Sequence, residues 1–328
     1  MSVPQRIAIV TTSYPAYAGD AAGHFVASEA EHLARAGHSV IVFAAGAHAA
    51  SAGNPRVIWL ADGGAAGFPG LKARLRALPL RWHGLAMWLL RARQALRTQG
   101  PFDRIVVHWL IPSALPLLLG LDTGAAHIEV VVHGSDARAL AEFPTSLTRP
   151  LLARLLRRNL RFRCVSHQLA DLLRNMAGTT LDGRIHVEPA AIDLRKAPTR
   201  AEARRKLAID HATHLLVIVA RLVPEKRVHE ALAAAHLLTK AQVVVVGDGP
   251  LRAELTHAFP TARFPGQLPR EQTLTWIAAA DVLLSASRHE GAPTVVREAR
   301  ALGVPVVACA SGDLRRWSQS DPGLFVID

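Results

Sequence analysis

The stretch Val282-Leu283-Leu284-Ser285-Ala286-Ser287-Arg288-His289-Glu290-Gly291-Ala292-Pro293-Thr294-Val295-Val296-Arg297-Glu298-Ala299, running on to Gly303-Val304-Pro305-Val306-Val307-Ala308, reads as one strand, loop, helix and strand. Val282–Leu284 has the length and apolarity of a buried strand. Pro293 suits the first helical position, where its missing N–H would have no partner. Gly303 ends the helix, Pro305 bars its continuation, and Val306–Ala308 is the next strand. The N–H groups of Thr294, Val295 and Val296 then lack helical partners in the first turn and point at an anion site. Glu290 lies in the loop above that turn and Glu298 lies further along the helix, so acceptors for hydroxyl groups sit beside donors for an anion. That combination suits a phosphorylated sugar. The competing reading makes Glu290 an ordinary acid near a helix start and Glu298 part of a solvated helix face.

Outward from this segment the same pattern repeats. Strand-length apolar runs occur at Ile7–Val10, Val40–Phe43, Val57–Leu60, Ile105–Val107, Ile128–Val132, Leu215–Val219 and Val243–Val246, with helical stretches between them. Unbroken Val/Ile/Leu runs alternating with helices are the mark of parallel sheets covered on both faces, so the fold class is α/β. The pattern lapses between Ala190 and Arg200, and Thr199 can cap a new helix from Arg200 to Leu207. This predicts two domains, 1–193 and 194–328, with a cleft at the carboxyl ends of their strands, where such sheets bind ligands.

Composition narrows the function classes. A chain of 328 residues, half of them hydrophobic and a fifth charged, is globular and long enough for two cores. Cys164 and Cys309 are isolated in apolar surroundings with no metal-ligand spacing, which fits a reducing, cytoplasmic compartment. Met1–Val10 has no apolar leader that would mark the chain for export. The uncharged stretch from Ile105 to Leu121 contains His108, Pro112, Ser113 and Pro116, and reads as a buried strand and helix, not a membrane span.

The net charge of +12 is clustered. Lys72, Arg74, Arg76, Arg81, Arg91, Arg93, Arg97 and Arg104 lie in one stretch with Asp103 as its one acid, and six arginines between Arg149 and Arg163 meet no acid in sequence. Such asymmetry implies an anionic partner. From Phe68 to Arg97 the arginines are interleaved with Leu71, Leu75, Leu78, Trp82, Leu85, Trp88 and Leu89. That is the composition of a helix pair lying peripherally on an anionic membrane surface, or equally of a core-facing pair with a solvated basic face. No nucleic-acid-binding signature accompanies the charge, so nucleic acid is not the expected partner.

Further motifs follow other strands. Arg221-Leu222-Val223-Pro224-Glu225-Lys226 leaves the strand Leu215–Val219 and brings two cations to its carboxyl end, where they could neutralise an anion, the competing reading being an ordinary basic loop before a helix. Gly247-Asp248-Gly249-Pro250 makes a tight turn after Val243–Val246, mainly structural. Phe264-Pro265-Gly266-Gln267-Leu268 forms a loop before a later helix. Thr11 to Gly23 carries Gly19 and Gly23 before a helix, although Asp20 and Ala21 break dinucleotide-fingerprint spacing. His133-Gly134-Ser135-Asp136 follows Ile128–Val132, placing a histidine where it could donate to a sugar hydroxyl. No Asp-x-Asp pair occurs to bridge a diphosphate through a metal.

Together the run Glu290-Gly291-x-Pro293 through Glu298-Ala299 to Gly303-x-Pro305 resembles the E-x7-E signature of the retaining family 4 glycosyltransferases of the GT-B fold. Arg221-Leu222 with Lys226, the Gly247–Pro250 turn, His133-Gly134-x-Asp136, Val165-Ser166 and Pro189 to Asp193 resemble further segments of that family, with Ala191 standing where glycine is usual. The resemblance covers about Ile7 to Val307. It implies a retaining hexosyl transfer from a nucleoside diphosphate sugar to a glycan or lipid-linked acceptor in cell-surface polysaccharide biosynthesis, with no cofactor and no metal. It assigns catalysis to His133, Glu290, Arg221 and Lys226. It assigns donor binding to Gly19, Gly23, Gln267, Leu268, Gly291, Ala292, Pro293, Thr294, Val295, Val296 and Glu298, with Glu298 on the ribose, Glu290 on the sugar hydroxyls and Gln267-Leu268 facing the base. An epimerase or sugar phosphorylase of the same fold, and a non-catalytic nucleotide-sugar-binding protein, are the alternatives. Relatives usually continue beyond the position of Asp328 with helices that cross back to the first domain, so this donor domain is expected to lack them.

Overall fold

Parallel pairing joins every strand expected from the sequence in the computed structural model, which describes residues 3–17, 20, 22–67, 71–177, 181, 183–238 and 240–328. Gly19 and Phe68 lie outside the described residues, as does the side chain of Lys72. The first sheet contains β1 (Arg6–Thr11), β2 (Ser39–Ala45), β3 (Arg56–Leu60), β4 (Arg104–His108), β5 (His127–Val132), β6 (Leu160–Cys164) and β7 (Ile185–Val187), in the order β3-β2-β1-β4-β5-β6-β7. The second contains β8 (His214–Val219), β9 (Ala241–Val246), β10 (Arg263–Gly266), β11 (Val282–Ser285), β12 (Val306–Cys309) and β13 (Leu324–Ile327), in the order β10-β9-β8-β11-β12-β13. Helices occupy most of the connections between parallel strands, and β2 to β3 is joined by a loop.

The chain divides into two compact units at Ala191/Ile192, slightly before the boundary read from the sequence. Asp193 belongs with the second unit because its carbonyl accepts from Arg270 Nη2 at 2.9 Å. Four strands are absent from the apolar runs above, of which β13 is itself apolar and three are not. In β6 arginines alternate with Leu160, Phe162 and Cys164, β7 has three residues, and β10 contains Pro265 and Gly266.

Among the described residues no helix is long and apolar enough to cross a membrane. The stretch from Ile105 to Leu121 is β4 followed by a short helix, Leu115–Leu118, with Leu110, Leu117 and Leu121 buried.

The basic stretches are less one-sided in space than in sequence. Arg163 Nη2 donates to Glu29 Oε1 at 2.5 Å, and Arg104 Nη2 donates to Glu129 Oε2 at 2.9 Å. Arg74, Arg81, Arg91 and Arg93 donate to the carbonyls of Gly64, Arg74, Ala61 and Leu119, which keeps their charge but directs those heads into the fold. Of the apolar residues expected on one membrane-facing side, Leu75, Leu85 and Trp88 are buried in the core. Leu78 and Trp82, with Leu80, remain exposed around the turn between helices Leu71–Ala77 and Arg81–Gln99.

The second unit is pinned by a buried cation. Thr199 caps helix Arg200–Leu207 with a full capping box to Glu202. From that helix Arg204, 1% exposed, donates to the carbonyls of Ala279, Asp210, His211 and Thr213 and to Asp281 Oδ2 at 2.7 Å. Asp281 also accepts from Leu215 N–H, the second residue of β8. One guanidinium therefore ties the entry helix to the strand that carries Arg221 and Lys226. Removing it leaves four carbonyls and a carboxylate short of a donor. Arg204→Ala lowers unfolding stability by about 3–5 kcal/mol, measured by denaturant unfolding.

Candidate functional site

The second sheet reverses its strand order beside β8: β9 and β10 lie on one side, β11 to β13 on the other. Loops leaving β8 and β11 flank this switch point, the usual binding position in open α/β sheets. Arg221 is exposed in the first loop. Lys226 ends a single 3-10 turn, Pro224–Lys226, and its Nζ donates to Glu290 Oε1 in the second loop at 2.5 Å. The two loops are also joined by Arg288 N–H donating to the Glu225 carbonyl at 3.0 Å. A cation suited to a diphosphate and a carboxylate suited to sugar hydroxyls are thus in direct contact. An ammonium has three donors, so holding Glu290 leaves Lys226 able to serve a phosphate oxygen at the same time. Arg227, next in the chain, has φ 48°, a left-handed conformation that non-glycine residues adopt at a cost.

Helix Thr294–Ala301 begins one residue later than read from the sequence. Pro293 is its N-cap, with ψ 113°, and makes no side-chain cap. Thr294 and Val295 are half-buried, Val296 is buried, and Gly291 and Pro293 are buried either side of half-buried Ala292. Behind them Gly312, at φ 55°, packs so closely that a Cβ there would stand 2.2 Å from the Gly291 carbonyl oxygen. The loop after β12 therefore backs the Glu290–Gly291 turn.

Glu298 is not on a solvated face. It is 4% exposed, and its Oε1 accepts from Arg270 Nη1 at 2.6 Å. Sequence reasoning missed Arg270, although it starts helix Arg270–Ala279 directly after the Gln267-Leu268 loop. In that loop Gln267 is exposed, while Leu268 packs on the core beneath.

The Gly247–Pro250 turn is built against the Arg221 loop. Gly247 has φ 141°, and a Cβ there would meet the Ala220 carbonyl oxygen at 1.9 Å; one at Gly249 would meet that of Leu222 at 2.4 Å. Ala220 N–H donates to Val246 O, Leu222 N–H to Asp248 O, and Leu251 N–H to Leu222 O. Only residues without side chains allow the two turns this approach.

In the first unit His133 follows β5 and is half-buried. Asp136, 3% exposed, accepts from Gly134 N–H at 2.8 Å and Leu110 N–H at 2.6 Å, fixing the loops after β5 and β4 to each other. Burial pushes its pKa up, with these backbone donors acting in the opposite sense. The ring of His133 lies parallel to that of His108, the last residue of β4, with centroids 5.2 Å apart and His108 Nδ1 3.0 Å from His133 Nε2. Phe25 and Trp109 pack on His133, each with its ring centroid at 4.8 Å. Trp109 holds φ 69°, a strained value for a bulky residue. Gly23 has φ 64° and caps helix His24–Arg35, and a Cβ there would stand 2.2 Å from the Ser13 carbonyl oxygen. His108, Phe25 and Trp109 were not assigned to the site from the sequence. The position of His108 at the end of a strand beside β5 is the signal that could have found it.

The chain matches the profile of Glycosyltransferase Family 4 over residues 22–196 and that of Glycosyl transferases group 1 over residues 199–319. It is 30% identical over 330 aligned residues to a GDP-mannose-dependent alpha-mannosyltransferase of Mycobacterium tuberculosis, covering 94% of this chain and 80% of that one. It is 29% identical over 215 residues to TuaC of Bacillus subtilis, named for teichuronic acid biosynthesis, and there the match covers 64% of this chain and 54% of the relative. Among solved structures it resembles sucrose-phosphate synthase from Thermosynechococcus elongatus, with a TM-score of 0.75 at 20% identity, covering 95% of this chain and 83% of that one. WaaG, a glycosyltransferase involved in lipopolysaccharide biosynthesis, gives a TM-score of 0.64 at 20% identity, covering 96% and 84%. These structural likenesses establish the fold as GT-B.

The packing of the two turns sets a test. Gly247→Ala must move the Arg221 loop as well as adopt an unfavourable φ, and costs about 2 kcal/mol or more in denaturant unfolding. Gly37→Ala carries φ 93° with nothing within 4 Å of the new Cβ, and costs about 1 kcal/mol.

Proposed function

This chain belongs to Glycosyltransferase Family 4, and on that premise we propose that it transfers a hexosyl group from a nucleoside diphosphate sugar, with retention at the anomeric carbon, to a glycan or lipid-linked acceptor of cell-surface polysaccharide biosynthesis. The observation that carries this reading is the Lys226–Glu290 pair beside Arg221 at the switch point of the second sheet. Lys226 and Arg221 take the diphosphate, Glu290 the sugar hydroxyls, and Glu298, oriented by Arg270, the ribose. Backbone N–H groups of residues 294–296 support the phosphates, and the family resemblance assigns Gly19, Gly23 and His133 to the same donor.

Little covalent chemistry is asked of the protein. As the glycosidic bond loosens, positive charge grows on the sugar and negative charge on the leaving phosphate oxygen. Fixed cations lower the barrier because they are in place before that charge appears. Side chains supply this neutralisation, and the reaction needs no metal. GDP-mannose is the first donor to test, because GDP-mannose is the donor named for the Mycobacterium tuberculosis relative.

The protein is placed in the cytoplasm, peripheral to the anionic inner leaflet. The exposed Leu78, Leu80 and Trp82 with exposed Arg76 would meet the surface. An epimerase would convert the donor with no acceptor, a phosphorylase would require inorganic phosphate, and a binding protein would turn nothing over. Each is separable in one assay.

A thermal-shift screen of nucleoside diphosphate sugars should raise the melting temperature with one base above the rest. With that donor, and at a temperature where both variants stay folded, Lys226→Ala and Glu290→Ala each lower turnover by about 10²–10³, although each melts below wild type because its partner's charge is left unpaired. A chelator leaves the rate unchanged, and proton NMR shows the transferred sugar in the donor's anomeric configuration. Near-normal transfer by both variants would remove the site assignment. Sedimentation with phosphatidylglycerol vesicles should recover the protein, and Trp82→Glu with Leu80→Glu should release it. Equal recovery of the variant would reject the membrane surface.

A further inference from the structure

Behind His133 lies a line of buried polar groups that the transfer reaction does not explain by itself. His108 is fully buried, its Nδ1 3.0 Å from His133 Nε2. On the other side of its ring, His108 Nε2 is buried without a hydrogen bond, and the nearest charge to it is Glu29 Oε2 at 3.8 Å, an electrostatic approach beyond hydrogen-bond distance. Glu29 is held by Arg163, whose Nη2 donates to Oε1 at 2.5 Å. Arg163 in turn stands with Nε 3.5 Å from Glu129 Oε2, and Glu129 also meets Arg104 and His186. The carboxylate of Glu29 is thus fixed in place by a buried guanidinium.

Burial holds both imidazoles neutral by pushing their pKa values well below the ordinary histidine value, and the Arg163 charge acts in the same sense. Two neutral rings joined nitrogen to nitrogen share one proton, so one ring donates and the other accepts. If His108 carried its proton on Nδ1, its Nε2 lone pair would face the Glu29 carboxylate. If it carries the proton on Nε2, that N–H faces Glu29, and Nδ1 is left to accept. The carboxylate selects the second arrangement.

We propose that His108 is a positioning residue which, with Glu29, fixes His133 in the Nε2–H tautomer, so that His133 meets a hydroxyl of its carbohydrate ligand through Nδ1 as an acceptor. This rests on the placement of His133 in the transfer site and reverses the role read from the sequence, in which the histidine donates. Phe25, Trp109 and the strained backbone of Trp109 hold the ring so that it cannot turn over to exchange its two nitrogens without disturbing the cluster.

The test needs no substrate. Long-range proton–nitrogen NMR of the intact protein, with His133 assigned by comparison with His133→Gln, reads which ring nitrogen carries the proton. Wild type should show Nε2–H over Nδ1–H by about tenfold or more. Glu29→Gln, which keeps the shape but removes the charge, should bring the ratio close to even. His108→Asn, whose amide oxygen stands near the place of Nδ1, should restore the Nε2–H form more fully than His108→Phe. Nδ1–H in wild type, or an unchanged ratio in Glu29→Gln with its native spectrum retained, would overturn the proposal. These readings are made on the free protein, so they fail or succeed separately from the transfer assignment. Where transfer is measurable, Glu29→Gln should lower kcat about tenfold with the donor KM unchanged, and an equal rise in KM would overturn the positioning role.

Discussion

Two loops from different strands can act on one ligand only if something fixes their separation, and in the second unit that is the contact of Lys226 with Glu290. The pair spans the switch point between β8 and β11, with Arg288 N–H on the Glu225 carbonyl as a second tie. Each partner is about five-sixths buried, with side-chain exposures of 18% and 16%. Losing either one strands the other in a poorly solvated place. The surrounding glycines serve the same geometry: Gly247 and Gly249 let one turn lie on Ala220 and Leu222, and Gly312 lets another lie on Gly291. Packing of backbone on backbone thus comes before the charges, and holds them where a diphosphate and a sugar would need them.

The first unit uses a different device. Its loops after β4 and β5 are joined by Asp136, which accepts from one backbone N–H in each. Its candidate site histidine, His133, is backed by a second histidine and by Glu29 with Arg163, and on the tautomer proposed above one nitrogen of His133 is committed before any ligand arrives. In both units a candidate ligand-binding side chain is met by a neighbour from another element: half-buried Arg270 beside Glu298, buried His108 beside His133. Preorganisation of this kind is what lets electrostatics lower a barrier without reorganising during the reaction.

The sheets were legible because buried parallel strands must be continuous apolar runs, and Ile7–Val10 or Val243–Val246 have no other explanation. β6 was not, since its apolar residues alternate with exposed Arg161 and with Arg163, which reaches Glu29 and Glu129, partners distant in sequence. That Arg221, Lys226 and Glu290 lie in loops after strand ends was legible from the sequence, and their roles are those the family resemblance implies. The partners of Glu298 and His133 were not legible, because Arg270 and His108 become neighbours only once the strands are ordered. How the basic stretches divide between fold and surface was not legible either, since Arg74, Arg81, Arg91 and Arg93 donate to the fold's own carbonyls.

On the function proposed above, the second unit divides a nucleotide between Lys226 for the diphosphate and Glu298 for the ribose. Calorimetric titration of the whole protein with a nucleoside diphosphate and with its parent nucleoside separates the two. Lys226→Ala should weaken the diphosphate by about tenfold or more and leave the nucleoside unchanged, while Glu298→Gln should weaken both. Equal loss of both ligands in Lys226→Ala, or no loss of either in Glu298→Gln, would contradict the account.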